Sequence, residues 1–187
     1  MATAKVPELV TERLVLRALE ARDAVAVAQG AGDRRVARYL IAVPSPYPLS
    51  LARAWVSARA AWWHEGRGIT LAITRPDDDE LIGSVSLRRY ARDRRAELGY
   101  WLVASAWNRG YASEATRATV AFGFEELGLA RIYAQVIAGN TASMRVLAKL
   151  GMIQEGTKRQ HVKKGNKLHD IVLYGLLREE WDSDFVR

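Results

Sequence analysis

The hydrophobic positions of this chain change period several times, and each change predicts an element. In "TERLVLRAL", Leu14 and Leu16 alternate with polar neighbours and predict a first strand. "EARDAVAVAQGAGD" predicts a helix with a glycine-rich exit. "AVPSPYPLS" carries three prolines and is expected to be a loop. Ser50 is the expected cap of the next helix, with Leu51, Trp55 and Trp62 on its inward face and Gly66 and Gly68 as its stop.

"GITLAIT", "LIGSVSLRRY" and "AELGYWLV" read as three strands separated by the polar turns "RPDDDE" and "ARDRR". Connections this short leave no room for a helical crossover, so an antiparallel meander is expected. The loop "ASAWNRG" follows, then a helix with Ala115, Ala118, Phe122 and Leu127 inward and Gly128 at its end. "ARIYAQVI" reads as a strand. "NTASMRVLAKLG" puts Met144, Leu147 and Leu150 on one helical face and stops at Gly151. The tail through Trp181 predicts two strands around a Gly165-Asn166 turn. No repeat, low-complexity segment or linker divides the chain. The expected architecture is α/β: a single domain over 1–187, with one mixed, mostly antiparallel sheet and helices on both faces.

Composition narrows the class. The 187 residues suffice for a sizeable core, and 49% hydrophobic with 26% charged residues describes a globular chain rather than a disordered one. No stretch of about 18 apolar residues occurs, and "MATAKVPELVTERL" has no long apolar run. No membrane span or signal peptide is therefore expected, and a cytoplasmic location is. Cysteine is absent, which excludes disulfides, thiolate metal sites and a cysteine nucleophile. His64, His161 and His169 lack metal-ligand spacing, and Asp77, Asp78 and Asp79 read as a solvated turn, so no metal is expected. The net charge of +7 suits a partner rich in phosphate or carboxylate, and equally a generally basic proteome. No basic run is interleaved with aromatics, so nucleic acid is not an expected partner.

The stretch "WNRGYAS" is the chemical question. A strand, a loop with one glycine and a helix N-terminus together make an anion site, because the first helical amides are unpaired and carry the positive end of the helix dipole. Gly110 lets a phosphate approach the backbone, Ala112 and Ser113 leave the path clear, and Arg109 adds charge. Taken alone, the same stretch is also an ordinary glycine turn. No Gly-Lys-Ser/Thr follows, and only one glycine is present, so neither a Walker loop nor a dinucleotide fingerprint is implied.

The order of these segments resembles the GNAT superfamily of acetyl-CoA-dependent N-acetyltransferases, and within it the Rim-type ribosomal-protein N-terminal acetyltransferases. "TERLVLRAL" is similar to their opening strand, "AELGYWL" to their fourth strand, "WNRGYASEA" to their pyrophosphate loop, "NTASMRVLAKLGM" to their second cofactor motif, and "DIVLYGLLREEW" to their closing strand. The family loop reads Gln/Arg-x-x-Gly-x-Gly/Ala. Gly110 and Ala112 match it, while Trp107 replaces the first position as in the Rim-type branch. The resemblance implies acetyl-CoA as co-substrate. Its pyrophosphate would lie on the backbone amides from Asn108 through Arg109, Gly110, Tyr111 and Ala112 to Ser113. Its pantetheine would lie between splayed central strands beside the backbone of Leu102 and Val103. Asn140 would contact the pantetheine arm; otherwise it is a plain helix cap.

The resemblance also assigns chemistry. Acetyl transfer needs a neutral amine, a polarised carbonyl and a proton for the leaving thiolate. Glu97 matches the Rim-type glutamate that deprotonates the amine. Its other reading is an ion pair with Arg88 or Arg95 across the meander. Many relatives use a tyrosine soon after the second cofactor motif as the acid. None lies between Gly151 and Tyr174, which leaves Ser143 or solvent in that role. The expected acceptor is a protein N-terminal α-amine, with "RRYARDRR" and "KRQHVKKGNK" steering an acidic, ribosomal-type partner or merely forming solvated turns. Acetylation of a small amine (an amino acid, polyamine or antibiotic) and a non-catalytic acyl-CoA sensor are the other readings. Acceptor contacts are expected in the loop from Ala42 to Leu49, and the expected assembly is a monomer or homodimer.

Overall fold

The computed structural model describes residues 5–181. Residues 1–4 and 182–187, the two ends of the expected 1–187 domain, lie outside the described residues. Eight strands form one sheet: β1 (Leu9–Val10), β2 (Val15–Ala18), β3 (Gly68–Thr74), β4 (Leu81–Tyr90), β5 (Arg95–Leu102), β6 (Arg131–Ile137), β7 (Ile153–Lys164) and β8 (Lys167–Leu177). Their order is β1-β2-β3-β4-β5-β6-β8-β7. The α-helices among the described residues are α1 (Ala24–Gly32), α2 (Arg34–Ala37), α3 (Leu49–Ala61), α4 (Tyr111–Glu125) and α5 (Thr141–Lys149). No helix among them is long and apolar enough to cross a membrane.

Short turns join β3, β4 and β5 into the expected antiparallel meander. The pair β5–β6 is parallel, and α4 supplies the crossover that parallel neighbours require. β3 shows why helices cover both faces. Ile69, Leu71 and Ile73 join a large cluster with Leu87, Leu98, Ala115, Phe124, Ile132 and Leu147, whereas Ala72 joins a smaller cluster with Ala24, Val27, Ala52 and Val56. The alternation sends successive side chains to α4 and α5 on one side and to α1 and α3 on the other. Each buried Leu, Ile or Phe stabilises the fold by about 1.5–3 kcal/mol.

Helix α3 departs from expectation at its start and in its phase. It begins at Leu49, with Pro48 at the cap position and Ser50 inside the first turn, so Ser50 caps nothing. Pro48 has no N–H to satisfy and a fixed φ, and its carbonyl accepts the Ala52 N–H at 3.1 Å. The buried face is Ala52 and Val56, while Leu51 is 50% exposed. Trp55 is half-buried and Trp62 buried. Alanines surround this helix, so its pattern leaves the phase open; packing against the small side chains of α1 settles it. In α4, Ala115 and Phe122 are buried as expected, joined by Val120 and Phe124. Ala118 and Leu127 are half-buried at the cluster's margin, and Leu127 lies beyond the last helical residue. In α5, Leu147 is buried and Met144 packs on the core, with Leu150 buried just past the end.

Candidate active site

The central feature is a wedge. β5 pairs with β6 at only three positions, ending with Glu97 opposite Tyr133, while its pairing with β4 continues to Leu102. β6 leaves after Glu97, and the gap widens from there. The Ala130 N–H donates to the Arg94 carbonyl at 2.7 Å on the β6 side, and the Val103 N–H donates to the Ile82 carbonyl at 2.9 Å on the β4 side. By strand alternation, Tyr100 and Leu102 turn their backbone groups into the wedge, whereas Val103 turns its N–H away. The indole of Trp107 donates to the Leu102 carbonyl at 3.0 Å. This tryptophan therefore secures the end of β5 where the loop begins.

The loop that follows leaves a helix start bare. Asn108 and Gly110 have positive φ, 60° and 83°, and Gly110 occupies the cap position of α4 without any side-chain cap. The first amides of α4, those of Tyr111, Ala112 and Ser113, thus have no side-chain acceptor. Asn108, Arg109 and Gly110 are exposed, and the Arg109 side chain has no partner among the described residues. Bare amides, a fifteen-residue helix dipole and an uncommitted guanidinium suit an anion with several oxygens.

A brace from the turn between β1 and β2 holds this loop, and sequence reasoning missed it. Arg13 donates through Nη1 to the Arg109 carbonyl at 2.9 Å and through Nε to Glu114 at 2.8 Å. The Thr11 hydroxyl and the Arg13 amide both donate to the other Glu114 oxygen, at 2.7 and 2.8 Å. Burial alone would raise the Glu114 carboxyl, but the hydrogen bonds from Thr11 and Arg13 outweigh it and hold it below its usual range. Arg13→Ala is expected to raise the KM for acetyl-CoA about five- to tenfold, the scale of one or two exposed charge-assisted hydrogen bonds. Steady-state kinetics at saturating amine would test this. An unchanged KM would show that the loop holds its shape without the brace.

Glu97 lies at the apex of the wedge, on the face opposite α4. It is half-buried. Gln135 Nε2 donates to its Oε1 at 3.1 Å, and the Tyr133 hydroxyl lies 3.5 Å from its Oε2. The expected alternative, an ion pair with Arg88 or Arg95, is not formed. Arg95 binds Asp93 at 3.0 Å, and Arg88 stands over the Tyr90 ring. Burial, Tyr90 and the charge of Glu97 push the Tyr133 phenol up, so it remains a donor to the carboxylate. Arg131, Tyr133 and Gln135 alternate with apolar residues along this strand, a signal present in "ARIYAQVI".

Across the wedge, the start of α5 faces β5. Asn140 caps this helix: its Oδ1 accepts the Ser143 N–H at 3.3 Å. Its Nδ2 makes no hydrogen bond among the described residues. Ser143 Oγ shares a 2.8 Å hydrogen bond with the Tyr100 hydroxyl, which also donates to the Ser143 carbonyl at 3.2 Å. Burial pushes the Tyr100 phenol up, and the Ser143 bond pulls it back only in part. Strand alternation assigns Tyr100 to the core, and its ring is there, but its hydroxyl reaches the wedge. Glu97 and the pair Ser143–Tyr100 thus border one gap from opposite faces of the sheet.

The proline loop is tied down beside this region. The Lys164 amine donates to the Leu40 and Val43 carbonyls at 2.6 and 2.8 Å, and the Tyr39 hydroxyl reaches the Gly139 carbonyl at 3.4 Å. Elsewhere, Asp78 pairs with Arg75 and Asp79 with Arg17 and Arg22. No group of three metal-capable side chains occurs among the described residues.

A sheet split beside a bare helix N-terminus, with a carboxylate at its apex, is a geometry that suits a long phosphorylated donor. Comparison with known proteins specifies the class. Residues 13–153 match the acetyltransferase (GNAT) domain family, and the chain belongs to that family and is an N-acetyltransferase. It is 36% identical to the uncharacterized N-acetyltransferase YoaA of Bacillus subtilis, over 92% of this chain and 97% of that protein. YdaF of the same organism, provisionally named as a ribosomal N-acetyltransferase, is 28% identical over 94% of this chain and 97% of its own. A GNAT-family acetyltransferase structure from Bacillus anthracis superposes with a TM-score of 0.82 at 29% identity, covering 92% of this chain and 99% of that one.

Proposed function

We propose that this protein transfers the acetyl group of acetyl-CoA to the α-amine of a protein N-terminus, by direct transfer with Glu97 as general base, and that the whole chain, 1–187, is one catalytic unit. The observation that carries the reading is the position of Glu97: the last paired residue before the strands part, held by two neutral donors and bound to no cation. The name of YdaF supports a ribosomal acceptor.

The residues suit a CoA thioester. Bound acetyl-CoA would supply the acetyl group already activated. The amides from Asn108 to Ser113 would hold its pyrophosphate, with Arg109 adding charge. Tyr100 and Leu102 would offer backbone groups to its pantetheine, and Asn140 Nδ2 would donate to the same arm. Glu97 would accept the proton of the amine, oriented by Tyr133 and Gln135. The Ser143–Tyr100 pair would donate toward the sulfur as negative charge develops there.

The test of the reading is release of free CoA thiol with short N-terminal peptides and small amines assayed side by side. Turnover restricted to small amines would overturn the protein acceptor, and thiol release that no amine accelerates would overturn the transferase reading of the site. Two variants divide the cofactor contacts. Asn140→Ala removes a contact made alike in ground and transition states, so it is expected mainly to raise the acetyl-CoA KM. Ser143→Ala is expected mainly to lower kcat, by about tenfold, because water can replace one neutral donor. An unchanged kcat in Ser143→Ala would leave the thiolate to solvent.

A further inference from the structure

On the face opposite α4, three positions line up across the meander: Gly68 of β3, Arg88 of β4 and Glu97 of β5. The preceding pair, Leu87 and Leu98, enters the α4 cluster, so Arg88 and Glu97 share the other face. Arg88 is exposed there, as is Gly99. Two strand spacings separate the start of β3 from Glu97 by roughly 10 Å.

The end of α3 brings a further cation to this row. The Arg59 guanidinium lies 3.5 Å from the centre of the Trp62 ring and 5.8 Å from that of Trp55. Arg67, which immediately precedes Gly68, lies 5.2 Å from the same Trp62 ring. Arg13, Arg17, Arg95 and Arg131 each bind a carboxylate. Arg59 binds none, and its Nη1 is buried without a hydrogen bond. Burial, then the neighbouring Arg88 and Arg67, push its pKa down. Glu65 pairs with Arg67, Asp93 with Arg95, and Glu97 is held by Tyr133 and Gln135.

A buried guanidinium N–H with no acceptor costs stability unless something completes it. The Trp62 ring lies against the guanidinium, and a planar guanidinium suits a planar anion that can accept from its N–H groups. A carboxylate meets that geometry, and the excess of positive charge beside Glu97 selects the sign.

We propose that Arg59, with Arg67 and Arg88, is the anion site of the acceptor pocket, and that the preferred acceptor carries a carboxylate close to its reactive amine. The proposal rests on the N-terminal acceptor reading for its form. At about 3.5 Å per extended residue, the row from Glu97 through Arg88 to Gly68, beside Arg67, is two to three residues long, so acidic side chains at the second and third positions of a peptide are the ones to test.

The test compares two C-terminally amidated peptides, Ser-Asp-Glu and Ser-Asn-Gln, with wild type, Arg59→Met and Arg59→Lys. Methionine keeps an apolar stem on the indole rings and removes the charge. Wild type is expected to show a KM about tenfold or more lower for the acidic peptide, the scale of one charge-assisted hydrogen bond. Arg59→Met should erase that preference, and Arg59→Lys should restore part of it. Equal KM values in wild type, or a preference that survives in Arg59→Met, would overturn the site. A second measurement does not need turnover: tryptophan fluorescence is titrated with the acidic peptide already acetylated. A response in wild type that Arg59→Met loses supports the site, and no response up to millimolar peptide overturns it. If free aspartate or glutamate is acetylated in an Arg59-dependent way while no peptide is, the protein acceptor falls and the anion site stands.

Discussion

Gly110→Val is expected to abolish the rise in melting temperature that acetyl-CoA gives the parent protein. At a ligand concentration a hundredfold above Kd, binding to the native state alone adds about 2.7 kcal/mol, or roughly 5–10 °C for a chain of this length. Gly110 has φ 83°, a region that a β-branched residue enters only with strain. A Cβ at this position would also lie 3.1 Å from Arg13 Nη2, the group that braces the loop. Both effects turn the amides of Tyr111, Ala112 and Ser113 away from a common focus. Because Gly110 is exposed, the ligand-free melting temperature should fall far less than the ligand-induced gain. Thermal unfolding with and without acetyl-CoA measures both. An equal gain in variant and parent would remove the phosphate site from this loop.

The second large effect is expected from Glu97→Gln, a loss of about 10²–10⁴ in kcat with acetyl-CoA affinity nearly unchanged. The substitution keeps the length of the side chain and an oxygen that can still accept from Gln135 and Tyr133. What it removes is the capacity to take a proton. The sign of the pH dependence separates this role from a structural one. An α-amine has a pKa near 7.7–8.0, so above that range the neutral amine is abundant without a base and the deficit should shrink. Measured kcat/KM against pH, for both enzymes with one good acceptor, would decide the matter. A deficit of the same size at every pH would make Glu97 an orienting group.

Much of this was legible in the chain itself. Alternation in "GITLAIT", "LIGSVSLRRY" and "AELGYWLV" set three strands, and the shortness of the turns made them an antiparallel meander. Both are local facts, because strand period and turn length depend on neighbours a few residues apart. The bare start of α4 was legible for the same reason: Gly110 followed by small residues is a statement about one loop. Strand alternation also placed Glu97 on the face opposite Leu98, where it is found.

Contacts between distant segments had to wait for the tertiary structure. The phase of α3 depends on what α1 offers it, so the spacing of Leu51, Trp55 and Trp62 did not reveal that Ala52 and Val56 form the buried face while Leu51 stays exposed. The Tyr100–Ser143 bond joins residues 43 positions apart, and the Thr11–Glu114 bond joins residues 103 apart. Glu97 lies opposite Arg88 in register and within reach of Arg95, so charge alone suggested an ion pair. The parallel pairing with β6 brought Tyr133 and Gln135 to the carboxylate instead. The chain by itself placed each candidate residue on its strand, loop or helix. Only the order of strands in the sheet decided which of them meet, because a hydrogen bond needs two groups within about 3 Å, and periodicity along a chain carries no information about distance across it.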